Sequence, residues 1–133
     1  MIALDTTALL VRYLDHPGRA VARDAMSADP QWCVSALALA EALAVVDRLT
    51  IDPITGNELR RALHDDWGRM AVVPVDVMCL ERAAELARLH PLRMTDALHL
   101  AAADRLPRPL AYLTFDASQI PVAEALEFTV ISA

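Results

Sequence analysis

The 133-residue sequence contains no lysine. All twelve basic residues are arginine, against eighteen Asp and Glu, for a net charge of −6. Without lysine there is no Walker-type phosphate loop, no Schiff-base nucleophile and no response-receiver site, which needs a lysine beside its acids. The negative balance does not advertise nucleic-acid binding through bulk charge, so any phosphate partner must be held by local arginine or by bound metal. Glycine is scarce, at three residues, and aromatics make up only 5%. Low-complexity and collagen-like classes are thereby removed. The two cysteines, Cys33 and Cys79, lie far apart and form no CxxC pair, and His16, His64, His90 and His99 show no zinc-ligand spacing around them. They are expected to be buried thiols in a reducing compartment. The longest weakly charged stretch, 30–46, contains Glu41 and falls short of the ~20 apolar residues of a membrane span. The opening MIALDTTALL has no basic leader and is interrupted by Asp5. No signal peptide is expected, and the cytoplasm is the expected compartment.

What is abundant is Ala, Leu and Val, within a hydrophobic fraction of 56%. That surplus suits one compact domain rich in packed helices, with apolar surface reserved for a partner. Short apolar runs at 1–4, 31–34, 71–75, 110–115 and 128–131 read as strands. Helical spacing is found over 7–14, 19–28, 36–48, from the capping-box-like Thr55-Gly56-Asn57-Glu58 to about 69, and over 76–89, 95–106 and 118–126. Ser35 is placed to cap 36–48, a run apolar on every face and therefore expected to be buried all round. Strands alternate with helices throughout, which predicts an α/β fold with a central parallel sheet of five short strands and helices on both faces.

Ligands of open α/β sheets bind beyond the carboxyl ends of the strands, and acids stand at those places. Asp5 ends the first strand, Asp116 follows the fourth in Leu113-Thr114-Phe115-Asp116, and Asp96 begins a helix. Taken singly, each is explained as a helix cap or first-turn acid. Glu41 is harder to explain that way. A carboxylate in a helix apolar on all sides costs several kcal/mol unless it is paired or binds metal, and Arg48, the nearest arginine in that helix, is seven residues on. If the four acids converge, their repulsion needs a counter-charge that no lysine can supply. A hard divalent cation, Mg²⁺ or Mn²⁺, supplies it.

The segments Leu4-Asp5-Thr6-Thr7-Ala8-Leu9, Ser35-Ala36-Leu37-Ala38-Leu39-Ala40-Glu41, Thr95-Asp96-Ala97-Leu98-His99-Leu100-Ala101 and Thr114-Phe115-Asp116, in that order, resemble the PIN-domain ribonucleases. Within that family the likeness is to the VapC-type toxins of bacterial toxin–antitoxin pairs. The resemblance implies a single PIN-like fold and endonucleolytic cleavage of RNA dependent on Mg²⁺ or Mn²⁺. It also implies inhibition by a small cognate antitoxin, a separate chain, and usually a homodimer. Carried over, it makes Asp5, Glu41, Asp96 and Asp116 the metal-binding, catalytic acids. Thr7 falls where relatives often carry Ser or Asn beside the metal, and Thr114 at a commonly polar site position. Arg93, three residues before Asp96, is a candidate phosphate contact, with a solvated loop arginine as the alternative. His99 is read as a packed or hydrogen-bonded histidine. Another metal-dependent phosphoryl hydrolase, a DNA nuclease on the same fold and a non-catalytic binding module are the rival readings. The haloacid-dehalogenase type is disfavoured because Asp5-Thr6-Thr7 lacks the second Asp of DxDxT. The acidic, lysine-free composition departs from expectation for an RNA binder and leaves the RNA-binding surface unidentified.

Overall fold

The computed structural model describes residues 1–132. In chain order the elements are β1 (Ile2–Leu4), α1 (Thr6–Leu10), α2 (Arg19–Ala28), β2 (Trp32–Ser35), α3 (Leu37–Leu49), α4 (Pro53–Trp67), β3 (Ala71–Val73), α5 (Val77–Leu89), α6 (Met94–Asp104), β4 (Ala111–Leu113), α7 (Ile120–Ala125) and β5 (Thr129–Ile131). The five strands form one sheet of order β3-β2-β1-β4-β5, every neighbouring pair parallel. The predicted α/β architecture is therefore the observed one.

Alternation along the strands divides the core in two. Ile2 and Leu4 of β1, with Val34 and Leu113, join a cluster that includes Leu9, Met26, Ala38 and Leu63 of α1 to α4. Ala3 of β1, with Cys33, Val73 and Tyr112, faces the opposite way, toward Cys79, Leu86, Leu100 and Val122 of α5, α6 and α7. Side chains two apart share a face of a strand, so a three-residue strand serves both layers. Both thiols are free and buried, as expected.

Local differences from the sequence reading have identifiable causes. α4 begins at Pro53 rather than after it, because Asp52 caps Ile54 and Thr55, and proline suits the first helical position, where its missing N–H is not needed. Ser35 does not cap α3; its hydroxyl is buried against His99, and Ala36 takes the cap position without a side-chain bond. Nor is α3 buried all round. Its buried stripe is Ala38, Ala42 and Val46, while Ala40 and Ala44 face outward. Past the stripe, Leu49, Ile51 and Ile54 lie open. The helix at 7–14 is shorter than expected, ending at Leu10 and continuing as turns to Tyr13. At Gly18, which precedes α2, an added Cβ would stand 2.5 Å from Phe115 Cε1. Among the described residues no helix is long and apolar enough to cross a membrane.

Candidate active site

The sheet reverses direction of growth between β1 and β4, since β2 and β3 extend it to one side of β1 and β4 and β5 to the other. Register pairs Leu4 with Leu113. The next residue on each strand, Asp5 and Thr114, therefore meets its counterpart across the switch point, where open sheets leave a crevice. Thr114 Oγ1 donates to Asp5 Oδ2 at 2.8 Å.

Asp5 is 1% exposed. It caps α1, accepting from Ala8 N at 2.9 Å, and also accepts from Thr7 Oγ1 at 2.7 Å and from Gln119 Nε2 at 3.0 Å. Burial raises its pKa, outweighing the lowering effect of Ala8, Thr7, Thr114 and the His99 charge. This carboxylate is well supplied with donors and still short of positive charge.

Asp96 lies in the first turn of α6 and is nearly as buried. Gln119 links the two acids: the same Nε2 donates to Asp96 Oδ1 at 3.1 Å. The amide is held in that orientation from behind, because Tyr112 donates its hydroxyl to Gln119 Oε1 at 2.6 Å. Burial first, then the charges of Asp5, Asp96 and Asp116, push the Tyr112 pKa well above its ordinary value, so the phenol keeps its proton and remains the donor. On the open side Arg93 meets Asp96 with Nε at 2.9 Å and Nη2 at 3.2 Å, and its Nη2 lies 3.6 Å from Asp116.

Glu41 reaches the same region from α3. Its Oε1 accepts from Thr6 Oγ1 at 2.7 Å and from His99 Nε2 at 2.5 Å, while His99 Nδ1 meets Ser35 Oγ at 2.8 Å. The His99 hydrogen bond, acting against burial and joined by Thr6, holds the Glu41 pKa below the usual range. Glu41 is thus not an unpaired charge in an apolar helix; it is partly exposed at 31% and its partner is a histidine. Arg93 is a positive charge beside Asp96 and Asp116.

A cavity of about 280 Å³ is lined by Asp5, Thr7, Glu41, Arg93, Asp96 and Arg48, among others. Asp116 joins this group from the side through Arg93. Its own carboxylate accepts from Ser118 N at 3.0 Å and Oγ at 2.7 Å. Burial raises its pKa, but Ser118, Gln119 and the Arg93 charge together carry it below the ordinary value. The expectations for Thr7 and Thr114 as substrate contacts need restating. Thr114 is 0% exposed and its hydroxyl is committed to Asp5, so it cannot touch a ligand directly. Thr7 lines the cavity, but its hydroxyl donates to Asp5 and accepts from Phe115 N at 3.0 Å. Gln119, Tyr112, Ser35 and Thr6 also build the site, and single neutral side chains carry no spacing signal that would mark them in the sequence.

Among the described residues no three Asp, Glu, His or Cys side chains stand close enough to enclose an ion. Asp5 and Asp96 supply carboxylate oxygens beside open volume for water, the kind of donor a small hard divalent cation takes, and Gln119 and Arg93 occupy those oxygens here. The donor set fits.

A parallel sheet with helices on both faces and buried carboxylates at its switch point defines an α/β protein with an acidic crevice. The sequence matches the PIN domain over residues 2–125, and the chain belongs to that family. Similar solved structures include VapC20 of Mycobacterium tuberculosis, described as a sarcin–ricin loop cleaving toxin, at 16% identity and a TM-score of 0.75 over 92% of this chain and 95% of that one. FitAcB from Neisseria gonorrhoeae is 20% identical, with a TM-score of 0.73 over 98% and 96%. A toxin–antitoxin complex from Klebsiella pneumoniae is 19% identical, with a TM-score of 0.70 over 90% of each chain. At these identities the likeness is one of fold. No curated protein is significantly similar in sequence.

Proposed function

We propose that this PIN-domain protein is a divalent-metal-dependent endoribonuclease and the toxin of a toxin–antitoxin pair. The observation that carries the reading is the pairing of two buried carboxylates, Asp5 and Asp96, through Gln119, with Glu41 on the same cavity. The similarity of the fold to toxins described as cleaving RNA or bound to antitoxins supports it. Asp5 and Asp96, flanked by Glu41 and Asp116, would hold Mg²⁺ or Mn²⁺. When bound, the ion supplies activation of water and neutralisation of phosphate charge.

The protein's own part is orientation and charge. Thr7 and Thr114 fix the orientation of the Asp5 carboxylate, and a cation shared with Asp96 would take the place of the Gln119 amide and the Arg93 fork on those oxygens. Thr6 and His99 fix Glu41 as an anion at the mouth, where it attracts a cation or orients a water. Arg93, 76% exposed, can exchange its carboxylate partners for a phosphate oxygen, for which its planar fork is suited. A cytoplasmic homodimer inhibited by a small antitoxin completes the reading, with the open Leu49, Ile51 and Ile54 as apolar surface available to partners.

The test is cleavage of end-labelled single-stranded RNA by the purified protein in Mn²⁺, beside Asp96→Asn and an EDTA control. Asn keeps the side-chain shape and removes its charge. Cutting by the wild type alone, abolished by EDTA, is the expected result. Equal cutting by both proteins would refute the assignment of the site.

A further inference from the structure

We propose that Arg12, Arg19 and Arg23 form a phosphate seat that holds the RNA strand away from the cleaved bond, an inference that rests on the ribonuclease reading. These three side chains line one hollow of about 180 Å³ beside the start of α2. In a chain of net charge −6, such a gathering runs against the overall balance. Seven of the twelve arginines meet carboxylates: Arg12, Arg60, Arg69, Arg82, Arg93, Arg105 and Arg108. Arg19 and Arg23 meet none among the described residues, although Asp15 and Asp24 are close in sequence.

The cluster is also built, not merely crowded. Arg12 is held by Asp66 at 3.1 Å and lies 4.8 Å from the Trp32 ring centre. Arg19 Nη2 donates to the Arg12 carbonyl at 3.5 Å. α2 begins here with no side-chain cap and no acid in its first turn. Its positive end therefore adds to the arginine charge, the reverse of the usual placement of acids at helix starts. An anion relieves both.

The position relative to the carboxylates indicates what the anion belongs to. A second hollow of about 210 Å³, lined by Thr7, Leu10, Val11, Leu14 and His16, shares Thr7 and Leu10 with the acidic cavity. It ends at exposed His16, whose Nδ1 accepts from Gly18 N at 2.9 Å, immediately before α2. A strand leaving the carboxylates along α1 thus crosses apolar wall and an imidazole ring, which suit bases, and arrives at arginines, which suit phosphates. Locally concentrated charge is what a net acidic protein needs to bind a polyanion.

The test uses Asp96→Asn protein, which should bind without cutting, titrated with fluorescein-labelled single-stranded RNA in Mg²⁺ at several salt concentrations. Adding Arg19→Ala and Arg23→Ala should weaken binding roughly tenfold and reduce the slope of log affinity against log salt by about 1.4, two lost contacts on a single strand. The two arginine substitutions should leave the thermal midpoint of the Asp96→Asn protein unchanged, which shows an intact fold. A charge-matched pair, Arg61→Ala with Arg88→Ala, exposed arginines on α4 and α5, should change affinity little. Equal weakening by both pairs, or no weakening by the first, would overturn the seat, as would a parent protein that binds no RNA. Cleavage by the wild type decides the ribonuclease reading independently of all of these.

Discussion

Thr114 offers a direct measure of how the crevice is held together. Replacing it with valine keeps the volume and β-branching of the side chain and deletes one hydroxyl. That hydroxyl donates to Asp5 Oδ2 at 2.8 Å and accepts from Asp116 N at 3.1 Å, in a position 0% exposed. A hydrogen bond to a charged group contributes roughly 1.5–3 kcal/mol, and the Asp116 amide adds a fraction more, since its neighbourhood admits water. The added methyl returns up to about 1 kcal/mol of apolar burial. The net loss is about 2 kcal/mol, which for a domain of this size lowers the melting midpoint by about 6–10 °C. Urea titrations in EDTA, followed by circular dichroism, would measure it. The reasoning is specific to the ionised carboxylate, so the penalty should shrink by about 1 kcal/mol in an Asp5→Asn background, where the hydroxyl faces a neutral acceptor. Equal penalties in both backgrounds would show that the hydroxyl is not committed to the Asp5 charge, and the account of the site would be wrong.

Mg²⁺ or Mn²⁺ at ten times its dissociation constant should add about 1.4 kcal/mol to stability, because the unfolded chain has no paired acids; scanning fluorimetry should show a rise in midpoint that Asp5→Asn with Asp96→Asn abolishes. Asp66 governs an acid transition. Burial raises its pKa, but Tyr13, Arg12 and Arg69 together bring it below the ordinary value. Its contribution is therefore full above the unfolded carboxylate range and is lost as pH falls through the lower folded value. Melts of Asp66→Asn should differ most from wild type above pH ~5 and draw together progressively as pH falls below about 4; a gap constant with pH would contradict this. Gly18→Ala should destabilise by about 1–2 kcal/mol, since the new Cβ meets the Phe115 ring; an unchanged midpoint would mean that the ring moves aside freely.

The alternation of apolar runs with turn signals made the sheet legible, because a strand buried on both faces has few sequence alternatives. The carboxylates at strand ends were legible for a related reason: Asp5 and Asp116 interrupt apolar runs, and Glu41 interrupts an alanine-rich helix. The neutral scaffold was not. Gln119 becomes informative only when β4 lies beside β1 and turns its amide toward both acids. His99, one helical turn from Asp96, looked like an interior histidine, and it is one; its partner, Glu41, is 58 residues away in sequence. The burial of α3 was overestimated because alanine is equally at home in water and in a core, so an Ala-rich run carries little directional information.

The crevice draws on both ends of the chain, since Asp5 and Gln119 are separated by 114 positions. A ribosome making this protein releases Asp5 near the start of synthesis and Gln119 near its end. Until β4 docks against β1, Asp5 has neither Thr114 nor Gln119, and no centre exists. Chains that end before β4 carry only three of the four acids, and lack Thr114 and Gln119 as well. Assembly of the crevice is thereby deferred to the completion of the chain.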